Sequence, residues 1–238
     1  MNPYGWPHAW HWSNYVNTWS VEGSDINFGY FFKNSLTVAL LTTIGTTFSS
    51  SLVAFGFARL RFPGRERLFI LLLSTMMLPA IVTLMPSYIG FRYLHWIDTL
   101  YPLIVPSFFA GAFNVFLLRQ FFMSIPLDMD EAAKIDGAGP IQILTKILLP
   151  QIRPALAAVA IGSFTFYWSD FLRPLIYLNQ PSLKTAAIAL AGFQSAYGNT
   201  AWNLLMAAGL SMVLPILLLF FFAQRYFIQG IVISGVKG

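Results

Sequence analysis

Apolar residues gather in five long runs, at about 36–58, 68–90, 101–118, 155–178 and 203–222, separated by polar connections. A hydrocarbon layer about 30 Å thick takes roughly 20 residues of helix at 1.5 Å rise per residue, so runs of this length can cross it. They are apolar all round rather than striped, which excludes amphipathic surface helices. They also lack the strict in-out alternation of transmembrane barrel strands. The pattern predicts an all-α membrane protein, a polytopic bundle of about five transmembrane helices.

Prolines interrupt several runs: Pro79 and Pro86 in the second, Pro102 and Pro106 in the third, Pro174 in the fourth and Pro215 in the fifth. Each removes a backbone donor, and lipid tolerates that only where neighbouring helices or water satisfy the freed carbonyl. The bundle is therefore expected to be irregular. In the first run Thr42, Thr43, Gly45, Thr46, Thr47, Ser49, Ser50 and Ser51 allow close helix contact and interhelical hydrogen bonds.

Composition agrees with a lipid solvent: 57% of residues are hydrophobic, 10% are charged, and 23 are Phe. The net charge of +5 does not mark a nucleic-acid surface, because the basic residues are sorted by connection rather than gathered in one patch. Arg59, Arg61, Arg65, Arg67, Arg119, Lys134, Lys146, Arg153, Arg225 and Lys237 fall on one side of the alternation. Lys33, Arg92, Arg173 and Lys184 fall on the other. The positive-inside rule then puts the N-terminus of this chain outside and its C-terminus in the cytoplasm. Cysteine is absent, so redox compartment leaves no mark.

Residues 1–35 form an extracytoplasmic N-terminal segment rich in Trp, Tyr and Asn, a composition suited to the outer membrane interface. They show no basic start, apolar core or cleavage site of a signal peptide. His8 and His11 are three apart, but no Cys or carboxylate cluster joins them, so no metal is expected. In the fourth run "FYWSDFLRPLIYL" places Asp170 near the outer third, where an acid is costly unless paired or hydrated. Arg173 is its expected partner; Asp170 and the nearby Trp168 are also candidates to line a solute path.

The polar segment 126–154 lies on the positive side. "PLDMDEAAKI" has a proline start, acids in its opening turn and Asp130 four residues before Lys134, which predicts a short helix carrying that ion pair. Gly137 in "DGAG" can close it in the left-handed conformation. A second short helix starts at Pro140, with Ile141, Ile143, Leu144, Ile147 and Leu148 on one arc and Gln142, Thr145 and Lys146 on the other. Such a helix either rests on the membrane surface or fills a groove on another protein.

Glu131, Ala132 and Ala133, then Asp136, Gly137 and Ala138, then Leu149 and Pro150 resemble the EAA loop of membrane subunits of bacterial ABC importers. "ARLRFPGR", "FLLRQFF", "SIP", "FYWSDFLRPLIYL", "LLMAAGL", "QRYF" and "GVKG" extend the similarity over most of the chain. They resemble the carbohydrate-uptake permeases of the MalG type. The resemblance implies a permease domain over residues 36–238, with the cytoplasmic EAA loop at 126–154. It implies a multi-pass protein of the bacterial inner membrane that works by alternating access. The implied partners are a second permease, two cytoplasmic ATPase subunits and an extracytoplasmic sugar-binding protein.

In that family the loop docks on an ATPase subunit, which implies coupling roles for Glu131, Ala132, Ala133, Asp136, Gly137, Ala138, Pro140, Ile141, Leu144 and Pro150. The connection 179–202 matches a loop that reaches into the binding protein, with Gln194, Ser195 and Tyr197 as candidate contacts; a plain connection is the alternative. The chain has no phosphate-loop sequence, so it is expected to be a translocation subunit rather than an enzyme. It is expected to bind no cofactor, with ATP and Mg held by the ATPase subunits. The family usually has six helices, so the first is expected to precede Met1. An ion-driven transporter would show internal repeats and several buried acids, and neither pattern is present.

Overall fold

A computed structural model describes residues 9–19, 28–193 and 200–234, and every regular element among them is helical. α1 (Ser13–Trp19) precedes the long α2 (Phe28–Arg59), followed by α3 (Arg65–Ser74), α4 (Ala80–Tyr93), α5 (Tyr101–Ile104) and α6 (Ala112–Ser124). α7 (Asp128–Ile135) and α8 (Pro140–Gln151) make up the polar segment. α9 (Arg153–Trp168), α10 (Leu172–Tyr177), α11 (Ala186–Gly192) and α12 (Trp202–Ser234) follow.

Among the described residues three stretches are long and apolar enough to cross a membrane, Phe28–Arg59, Tyr101–Ser124 and Trp202–Gln224; counting each of two bent pairs as one span makes five. The run at 68–90 is not straight, as its two halves meet at 99°. Leu78 is extended (ψ 118°) and Pro79 follows it at φ −60°, ψ 133°, because a residue before proline is pushed out of the helical region. α8 and α9 meet at 83° on either side of Ile152, with Pro154 in the first turn of α9. In the third span Ala110 (φ 57°) breaks the helix before α6. The fourth run divides at residues 169–171, so Asp170 sits in a break between α9 and α10.

α2 lies at the centre, packed against α6 and α9, and α9 in turn packs on α12. Its buried face is small and hydroxylated, with Ser35, Ala39, Thr42, Gly45, Thr46, Ser49 and Ser50 all in the interior. Lipid tails solvate leucine as well as protein does, so close approach and interhelical hydrogen bonds hold such a bundle. Ser49 provides both. Its hydroxyl accepts from the Ala110 N–H at 3.1 Å at the break in the third span, and its one proton stands between the Gly45 carbonyl of its own helix at 2.7 Å and the Ser107 carbonyl at 3.2 Å.

At one end of the bundle a larger apolar cluster gathers Ala54, Phe55, Phe69, Leu118, Phe122 and Leu148. It ties α2, α3, α6 and α8 into one body, the platform on which the polar segment rests. At the other end α1 lies against α12, where the Asn203 side chain donates to Asn14 Oδ1 at 3.0 Å. Beside α1 the rings of Trp10, Trp12 and Tyr15 stack, with Trp10 and Trp12 exposed.

Candidate functional site

The segment 126–154 folds as a helical hairpin. Asp128, Asp130 and Glu131 occupy the first turn of α7, where the helix dipole favours acids. The helix ends in a paired cap: the Gly137 N–H donates to the Lys134 carbonyl at 3.0 Å and the Ala138 N–H to the Ala133 carbonyl at 2.9 Å. Gly137 has φ 83°, a left-handed conformation that costs other residues strain. α8 then starts at Pro140, and the Gln142 side chain accepts from the Gly139 N–H at 3.0 Å. Within α8, Ile143–Leu148 is a π-turn, with the Leu149 N–H bonded five residues back to the Leu144 carbonyl.

The hairpin has two faces. Ala133, Ile143, Leu144 and Leu148 are buried on the platform, and Ala138 and Pro150 are half-buried. Glu131, Ala132, Asp136, Pro140 and Ile141 face outward with Ile135. One of the sequence expectations is corrected here. Ile141, assigned to the apolar arc, is 71% exposed because it stands in the first turn, beyond the platform. Leu144, assigned both to that arc and to coupling, is 2% exposed and packs on the platform.

Asp130 is corrected too. Its partner is not Lys134 but Arg59, with Nε and Oδ2 3.4 Å apart and both side chains buried. The Arg59 guanidinium also donates through Nη2 to the Ile125 carbonyl at 2.8 Å, just past the end of α6. From α6, Arg119 reaches back to the Phe57 carbonyl in the last turn of α2 at 3.4 Å. It also lies 4.1 Å over the Phe69 ring and 3.6 Å from Glu66. Terminal helix carbonyls lack intrahelical donors, and each of these two helices supplies an arginine to the other's end. Sequence reasoning treated both arginines as topological charges; their position at run ends was the available signal.

Asp170 and Arg173 do pair, Nε to Oδ2 at 2.7 Å. Arg173 also lies 5.0 Å from the centres of the Phe166 and Tyr167 rings. The pair lines a cleft of about 400 Å³ with Thr83, Ser87, Phe91 and Tyr177. Trp168 does not belong to it: the ring is 1% exposed, stacks on Phe164 and donates to the Met212 carbonyl at 3.0 Å. The expectation that Trp168 lines a path gives way to a packing role between α9 and α12.

The connection 179–202 is fastened at its base. Asp98, held in a left-handed conformation at φ 61°, accepts from the backbone N–H groups of Asn179 and Gln180 and from the Asn179 side chain. The Asn179 N–H is the main cause holding the Asp98 carboxyl below its ordinary range. Asn34 donates to the carbonyls of Ser182 and Lys184, and the Ser35 hydroxyl accepts from the Ala186 N–H. Gln194, Ser195 and Tyr197 lie outside the described residues, as does His8.

A family model described as "Binding-protein-dependent transport system inner membrane component" matches residues 47–233. Among curated relatives, the arabinooligosaccharides transport system permease protein AraQ of Bacillus subtilis is 36% identical over 93% of this chain and 78% of its own length. The sn-glycerol-3-phosphate transport system permease protein UgpE of Pectobacterium atrosepticum is 36% identical over 94% and 80%. A crystal structure of a bacterial ABC transporter that imports the acidic polysaccharide alginate shares the fold. Its TM-score is 0.78 at 21% identity, covering 91% of this chain and 80% of that one. These relatives are transport permease subunits rather than enzymes. The bent, multi-pass helical bundle belongs to the family of binding-protein-dependent ABC importer permeases, inner-membrane components of transport systems.

Proposed function

We propose that the chain is one of two permease subunits of an ATP-driven importer for a sugar or oligosaccharide, working by alternating access. A second permease completes the path, two cytoplasmic ATPase subunits hold ATP and Mg, and an extracytoplasmic sugar-binding protein delivers the solute. The N-terminus of this chain is outside and its C-terminus is in the cytoplasm, a reading that the charge distribution supports. The hairpin α7–α8 docks on an ATPase subunit through Glu131, Ala132, Asp136, Pro140 and Ile141. Ala133, Ala138, Leu144 and Pro150 hold its shape from behind.

The observation that carries this reading is the two-faced hairpin. Ile135 and Ile141, 86% and 71% exposed, lie on either side of the glycine-closed turn, and the exposed Glu131 stands one helical turn before Ile135 on the same face of α7. An apolar contact rimmed by charge suits a groove on another protein. The relatives named for arabinooligosaccharides and the cleft at Asp170 support the solute class. The ion pair leaves that cleft without net charge among its named groups, which suits an uncharged solute better than a phosphate ester. In the outer connection, Gln194, Ser195 and Tyr197 are the proposed binding-protein contacts.

The test is co-purification of the ATPase subunit with a tagged chain carrying Glu131→Lys. The ATPase should be lost while the partner permease is retained, because Glu131 is exposed and lies outside every span. Full retention of the ATPase would exclude docking through this face.

A further inference from the structure

The coupling hairpin rests on an apolar platform, yet apolar contacts slide. The polar attachment is different in kind, because it has direction and a fixed partner. Arg59 closes the last turn of α2 and reaches two points at once: Asp130 in the first turn of α7 at 3.4 Å and the Ile125 carbonyl at 2.8 Å. The Arg59 and Asp130 side chains are 4% and 7% exposed. A buried pair is costly to separate, since each charge left alone would be uncompensated. Arg119 completes the frame by fastening α6 to the Phe57 carbonyl of α2.

The joint is also not fully closed. Arg59 Nε and Asp130 Oδ1 have no hydrogen-bond partner among the described residues, and the 3.4 Å contact exceeds the roughly 2.7–2.9 Å of a charge-assisted hydrogen bond. A small displacement of α7 towards α2 would shorten it into one. The structure shows the longer arrangement; a second, shorter one would supply the two states that a transmitting element requires.

We infer that the buried Arg59–Asp130 pair is the joint through which movement of the α7–α8 hairpin reaches α2 and, through the Ile125 carbonyl, α6. Both are positioning residues; neither meets a partner protein. The inference rests on the reading of the hairpin as the ATPase docking element and adds the route by which its displacement enters the bundle. Lys134, the residue that helical spacing would pair with Asp130, has no part in it.

The experiment uses the intact membrane complex, purified with its partner chains through a tag on this chain. The chain has no native cysteine, so Lys33→Cys, an exposed polar position near the start of α2 at the end away from Arg59, gives it a single thiol. The readout is the change in maleimide labelling rate at residue 33 on addition of ATP and Mg. It is compared with and without Arg59→Lys, which keeps the charge but cannot serve both Asp130 and Ile125, and with Asp130→Asn, which keeps the shape.

In either variant the ATP-dependent change should fall about tenfold, the scale of one charge-assisted hydrogen bond, while the ATPase subunits stay bound. A charge exchange, Arg59→Asp with Asp130→Arg, should recover part of it, which a general loss of stability would not. An undiminished response in both single variants would overturn the joint. Loss of the ATPase subunits from the variants would overturn it as well, because the pair would then shape the docking face rather than transmit movement. If the chain without either substitution shows no response to ATP, the coupling reading falls and the joint with it; failure of the joint alone leaves the Glu131→Lys result intact.

Discussion

Gly45 shows how little space a central helix leaves. A Cβ added there would stand 2.6 Å from Ser107 Oγ and 2.7 Å from two atoms of the Phe108 ring. The Ser107 hydroxyl is buried and donates to the Ile104 carbonyl at 2.6 Å, so it has little room to move. Gly45→Ala is therefore expected to cost about 1–3 kcal/mol through overpacking. It should lower the thermal midpoint in detergent; an unchanged midpoint would show that the third span yields. Asp98 makes a second residue-scale prediction. Its carboxyl is depressed by the N–H groups it accepts, so its stabilising contribution is full above the ordinary carboxylate range and is lost as pH falls through the folded value. At neutral pH, Asp98→Ala should speed amide exchange at Asn179 and Gln180 a few-fold, the scale of an exposed charged contact. Equal protection in the variant would refute the clamp. Neither Asp98 nor the Arg59 contact was legible in the sequence. Local spacing shows only neighbours, so Asp130 was matched to Lys134, whereas its partner lies at the end of another helix.

At the scale of elements, the sequence located helices better than it located their breaks. The hairpin α7–α8, its glycine closure and its proline start were all readable, because caps and turn residues act within a few positions. The 99° bend after the first part of the second run was not, although Pro79 marked the place, since proline permits a kink without setting its angle. The π-turn in α8 left no local signature and follows from fitting Ile143, Leu144 and Leu148 onto the platform. Gly137 offers the prediction for this scale. A β-branched residue at φ 83° is strained by roughly 1–2 kcal/mol or more, while Asn tolerates the left-handed region. Gly137→Val should therefore change the angle between α7 and α8 and reduce recovery of the ATPase subunit on co-purification, and Gly137→Asn should largely preserve it. Equal recovery for the two substitutions would remove the turn from the account of docking.

For the whole molecule, the five runs foretold an irregular helical bundle, and the small, hydroxylated run marked a helix suited to close packing, which the structure puts at the centre. What the runs could not convey was the exchange of arginines between α2 and α6, because nothing in either segment names the other. That exchange bears on how the protein is made. Arg59 and the Ile125 carbonyl are 66 residues apart, and the Phe57 carbonyl waits on Arg119 from 62 residues later. At about 5–20 residues per second of synthesis, α2 stands without these bonds for roughly 3–13 s after it leaves the ribosome. Its polar face and its final turn must be sheltered over that interval, so the first half of the bundle has no finished form of its own and its assembly is a matter of waiting for α6.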